Sequence, residues 1–373
     1  MKVAIVTITD GANYGNRLQN YALQTALEEF GCSVETIQSR SYRDKSLFQN
    51  FVCLIKNFLK KIIGKETDGH MRIRIRQFSK FNSKYIKLSK FVLKNNHAPE
   101  SISRYYDYFI CGSDQIWNTK IRIIRDDIKN YLAFFSPPEK RISYAASFGT
   151  NVIDEKYIPF FKEELSKFKS ISVREAVGVD IVRNLCKKEA HLVLDPTMLI
   201  SSTKWSEIAK KPKYATDNDF ILTYFLGGRN DSIKKYISDL QVNFENCKVY
   251  NLDIEFKKIT EIEDISVYLT TPDEFIWLIK NAKCVLTDSF HATVFSVIFG
   301  KPFMVFDRIE VEKGNNMGSR IDTLLSKFNL EFNRDDINSP SKIPAEYDYN
   351  AIDKILESER KHSLKFLKDA INI

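Results

Sequence analysis

Three short stretches concentrate the side chains able to do chemistry. In KCVLTDSFHATVFSVIFGKPF, a buried-strand run (Cys284 to Thr287) leads into Asp288, Ser289 and His291, and the apolar spacing after them predicts a helix through Phe290 to Phe299. A helix start presents free backbone N–H groups and the positive end of the helix dipole, which favours an anion. A histidine at that point can grip phosphate or move a proton near neutral pH. The same residues serve equally as an N-cap and a packing histidine. In DYFICGSDQIWN, a strand run ends in Gly112, Ser113, Asp114 and Gln115, with Trp117 just beyond. There Asp114 could accept a hydroxyl hydrogen bond or act as a base, and Trp117 could stack on a sugar ring or simply fill a core. In DGANYGNRLQNYAL, the residues Asn13, Tyr14, Asn16, Arg17, Gln19 and Asn20 crowd a helix start more densely than capping requires. Hydroxyl-rich ligands need such a surface.

Arginines at turns extend the set. Arg174 directly follows the strand run Ser170 to Val173, Arg308 follows PFMVFD, and Arg320 lies in GNNMGSR before a helix. Each is placed to hold a carboxylate or phosphate bidentately, or to make a domain-interface ion pair.

The elements that must position these residues form two series. Strand runs at Val3 to Thr7, Val34 to Ile37, Tyr108 to Cys111, Ile142 to Ala145, Ser170 to Val173 and Leu192 to Leu194 alternate with helical spacing. After DPTMLISSTKW a second series begins at Phe220, with strands near Cys247 to Tyr250, Cys284 to Thr287 and Pro302 to Phe306. Alternating βα patterns imply parallel sheets, and ligands sit at the C-terminal ends of such strands. The fold class expected is α/β: two Rossmann-like doubly wound domains facing a cleft. The first covers residues 1–200 with a basic helical insertion at 45–95. The second covers 201–348, and a C-terminal helix (349–373) packs back near the junction.

Composition agrees. The chain has 373 residues, 43% hydrophobic and 28% charged, which suits two globular domains. Six scattered cysteines show neither a disulfide framework nor zinc spacing. Walker A, HExxH and GxSxG patterns are missing, and the five histidines are isolated, so no metal is expected. No stretch reaches the roughly 18–20 apolar residues of a membrane span. The net charge of +8 is local: residues 45–95 hold 13 Lys and Arg against Glu66 and Asp68, a net of +11 that leaves −3 for the remainder.

Taken in order, NYGNRLQNYAL, CGSDQIWN, SYAASFG, SVRE, LDPTMLI, TDSFHATVFSVIFGKPF and SRIDTLL resemble the polysaccharide pyruvyl transferase family, over roughly Val3 to Leu325. Many members carry an arginine two residues before the histidine; this chain has Ser289 there and resembles the branch with S-F-H. The resemblance implies an architecture like that of GT-B glycosyltransferases. It also implies transfer of a pyruvyl group from phosphoenolpyruvate to sugar hydroxyls of a surface polysaccharide or its lipid-linked precursor, as a ketal. In that scheme His291 and Asp114 are the acid–base candidates. Arg174, Asp288, Ser289, Arg308 and Arg320 would hold the donor; Asn16, Arg17, Asn20, Gln115 and Trp117 would meet the acceptor. No cofactor beyond the donor substrate is implied. A nucleotide-sugar glycosyltransferase and a non-catalytic glycan- or lipid-binding protein of the same fold are the alternatives.

No nucleic-acid partner is expected, and the location expected is cytoplasmic. In SLFQNFVCLIKNFLKKII an apolar stripe runs beside Lys56, Lys60 and Lys61, and RIRIRQFSKF follows. A basic amphipathic helix of this kind lies on an anionic membrane surface, here the inner face, or packs its stripe on the first domain.

Overall fold

The buried run KVAIV makes β1 (Lys2–Val6) a central strand of the computed structural model, which describes residues 1–9, 11–39, 69–94, 96–252, 264–309 and 318–373. α1 (Tyr14–Glu29) follows, with the Asn13 side chain accepting from the Asn16 amide as N-cap, and Gly31 at φ 80° turns the chain out of it. β2 (Ser33–Ser39) returns parallel to β1. The basic segment contributes α2 (Gly69–Tyr85) and β3 (Leu88–Leu93), which pairs with β2. The expected helix at 47–62 lies outside the described residues. β4 (Tyr108–Cys111) and β5 (Arg141–Ser143) complete a parallel sheet of order β3-β2-β1-β4-β5.

After α3 (Ile158–Ser166), β6 (Ser172–Val173), α4 (Ala176–Cys186) and β7 (His191–Leu192) prolong this layer. β6 pairs with β7, and bridges from Ile142 to Ser170 and from Ala146 to Val173 join the pair to the first sheet.

β8 (Phe220–Tyr224), α5 (Asp231–Asn243), β9 (Lys248–Asn251), α6 (Pro272–Asn281), β10 (Cys284–Thr287), α7 (Phe290–Ile298), β11 (Phe303–Phe306), α8 (Ser319–Lys327) and β12 (Arg334–Asp335) build the second unit. Its parallel sheet runs β12-β11-β10-β8-β9. Among the described residues both sheets are parallel throughout, so two doubly wound α/β domains are present. The central strands are short and mostly apolar because helices cover both faces, whereas the edge strands β3, β9 and β12 carry polar residues.

The two domains share a core. Tyr14 at the start of α1 stacks on Phe275 of α6 with ring centroids 4.4 Å apart, and its hydroxyl donates to the Thr270 carbonyl. A buried aromatic pair of this geometry adds about 0.5–1.5 kcal/mol beyond its area. Arg74 of α2, only 1% exposed, donates to the Tyr268 carbonyl and lies 5.0 Å from the Tyr14 ring centre. α9 (Tyr349–Ala370) crosses the junction: Ile352 and Leu356 join the core around α6 and α7, while Phe366 and Leu367 pack with Val3, Ile5 and Leu23. No helix among the described residues is long and apolar enough to cross a membrane.

Candidate functional site

In each sheet the strand order reverses beside a central strand, and the two reversal points face each other. On the first sheet these are the ends of β1 and β4; on the second, the ends of β8 and β10. Between them lies a cavity of about 250 Å³. Asn13, Asn16, Asp114 and Gln115 line it from the first domain, and Ser289, His291, Arg308 and Arg320 from the second. Ile8, Ile121, Ile124, Leu226 and Phe290 give it apolar walls. The cavity therefore collects seven of the twelve site candidates read from the sequence.

On the first-domain side, Asp114 follows a cis Gly112–Ser113 peptide and sits at φ 74°. Its carbonyl accepts from Ile116 and Ser147, which holds this left-handed conformation in place. The loop is anchored from behind: Gln19 accepts from the Ser113 amide at 3.0 Å and donates to the Thr7 hydroxyl at 2.9 Å. Arg174 lies behind Asp114 and outside the cavity lining. It donates to Asp195 Oδ2 at 2.7 Å and to Asp114 Oδ1 at 3.3 Å, and its guanidinium lies 4.4 Å from the centre of the Phe290 ring. Its charge is thus engaged by two carboxylates. Breaking so buried a pair costs about 3–5 kcal/mol, so Arg174 organises the site. Burial pushes the Asp114 carboxyl up, but Arg174, His291 and Arg320 outweigh it, and Asp114 titrates below the usual carboxylate range.

On the second-domain side, both oxygens of Asp288 are occupied. Oδ1 accepts from the Leu226 amide and Oδ2 from the Gly227 amide, each at 2.7 Å, and Arg308 Nε stands 3.4 Å from Oδ2. Asp288 consequently ties the β8 and β10 turns together and positions Arg308. Ser289 occupies the N-cap position of α7 without making a side-chain cap, and Ser289, Phe290 and His291 at this helix start line the cavity. His291 is buried, and its Nε2 has no hydrogen-bond partner among the described residues. Burial pulls its pKa down; Asp195 and Asp114 push it up, and Arg174 and Arg320 oppose them, for a net lowering.

Arg320 is the unusual cation. It is 6% exposed and forms no ion pair among the described residues. Its guanidinium reaches the Gln115 side-chain oxygen at 3.2 Å when that amide is turned towards it. Burial, reinforced by Arg174, pulls its pKa down to about 10. A buried charge without a counter-ion is costly, and an anion in the cavity would relieve it.

Three further candidates lie elsewhere. Trp117 is 1% exposed, donates to the Tyr131 carbonyl and packs against Phe148 and Phe168, so it is a core residue and presents no stacking face to the cavity. Asn20 is buried and accepts from Thr36 across α1 and β2. Arg17 donates to the Gly11 carbonyl at 2.7 Å, bracing the loop before α1. Trp117, Asn20 and Arg17 therefore do not line the cavity, contrary to expectation: side chains on α1, and beyond the turn after β4, point into the domain as well as out of it.

Two residues that the sequence reading left out also matter. Asp195 is fully buried and accepts from Arg174, from Thr197 at its amide and hydroxyl, and from Ser113. In LDPTMLI it reads as a cap before proline, and nothing local signals its distant partners. Gly15 lies against His291: a Cβ there would stand 2.0 Å from His291 Nδ1.

Fold and site together define a two-domain α/β protein with a polar, cation-bearing cavity between the domains. The model of the family described as polysaccharide pyruvyl transferase matches residues 13–309, and the chain belongs to that family. It is a transferase. A search of curated proteins found no match. Among solved structures the chain is similar to a putative UDP-N-acetylglucosamine 2-epimerase from Listeria monocytogenes, at 12% identity over 97% of this chain and 96% of that one, with a TM-score of 0.46. Also similar are the UDP-GlcNAc 2-epimerase from Methanocaldococcus jannaschii (12%, 96% and 99%, TM-score 0.43) and Arabidopsis thaliana UGT89C1 complexed with UDP-L-rhamnose (10%, 100% and 99%, TM-score 0.49).

Proposed function

We propose that the protein transfers a pyruvyl group from phosphoenolpyruvate to two hydroxyls of a sugar in a surface polysaccharide or its lipid-linked precursor, forming a cyclic ketal. The observation that carries this reading is Arg320, a buried guanidinium with no carboxylate partner among the described residues, facing a small cavity beside Arg308 and the start of α7. Phosphoenolpyruvate carries a phosphate and a carboxylate, and the Arg320 guanidinium together with the Arg308 and α7 side offers two places for them. The position two residues before the histidine holds Ser289, and Arg320 and Arg308 supply cations from other elements instead.

In the reaction, His291 protonates the methylene carbon of the enol, and the double-bond electrons form the new C–H bond. The first sugar hydroxyl adds to the adjacent carbon and its proton passes to Asp114. The second hydroxyl then replaces phosphate at that carbon: its proton restores His291, the proton held by Asp114 leaves with the phosphate, the ketal closes and inorganic phosphate is released. Asp114 is suited to accept a proton because Arg174 and its other charged neighbours keep it ionised at neutral pH. The protein would work from the cytoplasm. Exposed Ile73 and Ile75 between Arg72 and Arg76 on α2 give it a surface for peripheral contact with anionic lipid, where lipid-linked acceptors are presented.

Isothermal calorimetry with phosphoenolpyruvate, inorganic phosphate and UDP- and GDP-sugars tests the donor. Saturable binding of phosphoenolpyruvate, weakened roughly ten- to a hundredfold in Arg320→Met, is expected. Binding of a nucleotide-sugar without phosphoenolpyruvate binding would replace this reading with a glycosyltransferase.

A further inference from the structure

His291 belongs to the second domain, yet groups of the first domain surround it. Its Nε2 points to Asp195 Oδ2 at 3.8 Å, and its Nδ1 lies over Gly15. Gly15 stands between Asn13 and Asn16, both of which line the cavity, and its missing Cβ leaves the Nδ1 edge of the ring uncovered. The ring thus has one edge turned to a buried carboxylate and the other to the cavity rim.

Asp195 is held firmly. Its Oδ1 accepts from the Thr197 amide at 3.0 Å and the Thr197 hydroxyl at 2.6 Å, and its Oδ2 accepts from Arg174 at 2.7 Å. The third neighbour, the Ser113 hydroxyl, stands 3.1 Å from Oδ2 and 2.9 Å from the Ala145 carbonyl. It has one proton for two acceptors. When that proton goes to Ala145, Oδ2 retains a lone pair for another donor. Nε2 of His291 is the orphaned buried polar atom facing it, less than 1 Å beyond ordinary hydrogen-bond reach.

We propose that Asp195 is a positioning residue for the transferase reaction: it fixes neutral His291 as the Nε2–H tautomer, holds the imidazolium once an anion enters the cavity, and so leaves Nδ1 as the atom that carries the proton to and from the substrate. The proposal deepens the assignment of His291 as the acid and rests on that reading. Four charged groups face the ring. Asp195 and Asp114 favour its protonated form, while Arg174 and Arg320 disfavour it. Because Arg174 is engaged by the two aspartates, an incoming anion at Arg320 would remove one opposing charge and so favour the imidazolium against the cost of burial. Donor binding and charging of the acid are then coupled. The acid is assembled only where the two domains meet, since its nitrogen and its carboxylate come from different sheets.

The test is NMR on the full chain with ¹³C,¹⁵N-labelled histidine, His291 being identified by the signal lost in His291→Gln. In the neutral wild type the expected result is the Nε2–H tautomer. In Asp195→Asn, with its fold checked by melting, the His291 pKa should fall by about one unit or more, the scale of losing a neighbouring opposite charge; Asp195→Glu should recover part of the shift. An Nδ1–H tautomer in the wild type, or an unchanged His291 pKa in folded Asp195→Asn, overturns the proposal. Should Asp195→Asn fail to fold, the wild-type tautomer decides alone. These readings need no donor. An Nε2–H tautomer with a falling pKa but no phosphoenolpyruvate binding in calorimetry would sustain the Asp195 role and reject the donor.

Discussion

Gly15→Ala is the smallest change that should separate a chemical His291 from a packing one. The added methyl would sit 2.0, 2.4 and 2.5 Å from Nδ1, Cε1 and Cγ of His291. Moving the nearest of these out to an ordinary 3.4 Å contact demands a displacement of about 1.4 Å. The ring has little room, because Asp195 and Phe290 flank it and the α7 residues around it are buried. Stability should change little. Alanine gains about 1 kcal/mol of helix propensity over glycine in α1, against about 1–3 kcal/mol for overpacking. A net cost near 1 kcal/mol moves the melting temperature of a chain this size by no more than about 4 °C. Activity should change far more, since a misplacement of about 1 Å at a reacting group costs roughly a hundredfold. The assay is phosphate release from phosphoenolpyruvate with an acceptor that supports wild-type turnover, paired with a melting curve. Near-wild-type turnover in a variant that melts normally would refute the reasoning, because the ring would then have moved without consequence.

Arg320→Met should raise or preserve the melting temperature of the ligand-free protein, because it removes a buried guanidinium that has no counter-ion. The same change should weaken phosphoenolpyruvate binding by roughly ten- to a hundredfold, the worth of a charge-assisted hydrogen bond. Trp117→Phe should lower stability by about 0.5–3 kcal/mol in denaturant melts, yet leave the acceptor KM within about twofold, as befits a core residue. A large KM increase at unchanged stability would return Trp117 to the acceptor. Co-sedimentation with phosphatidylserine-containing vesicles at low salt should fall at least tenfold in the Arg72→Glu, Arg76→Glu double variant, at about 1 kcal/mol per basic residue, and wild-type binding should fail at high salt. No wild-type binding at low salt would leave α2 as packing only.

Much of this site was legible because parallel strands covered on both faces read as unbroken apolar runs. KVAIV, YFIC and CVLT stand out, and the polar residues directly after them had to lie at the sheet edges where ligands bind. Asp114, Ser289 and His291 were found that way. Elements without such contrast were harder to read. β3, LSKFVL, alternates buried and exposed positions within a basic segment, and Lys90 in its middle hid the strand. Arg74 in RIRIRQ is hidden among like-charged neighbours, although the 3.6-residue period sets it in line with Phe78, Phe81 and Tyr85, all turned inward or partly buried. Side-chain direction after a turn was not readable at all, which is why Trp117 and Gln115, two residues apart, were read alike. Asp195 escaped because its importance comes from partners 21, 82 and 96 positions away, Arg174, Ser113 and His291, and local sequence carries no trace of such pairings.

The charge arrangement explains why the cavity belongs at the domain boundary. Each domain neutralises its own structural charges internally: Arg174 by Asp114 and Asp195 in the first, Asp288 by two backbone amides and Arg308 in the second. What remains unpaired, His291 Nε2 and the Arg320 guanidinium, comes from the second domain and is presented to the first. Nε2 faces Asp195 Oδ2 at 3.8 Å, and Arg320 is left to the proposed anionic donor. The docking that brings them to the first-domain wall is fixed elsewhere, by Tyr14 stacked on Phe275, by Arg74 beneath Tyr14 and by α9 crossing behind. The site therefore does not rely on its own unpaired charges to hold the domains together. An apolar interface holds the domains together, and Arg320 stays free for the anionic donor proposed above.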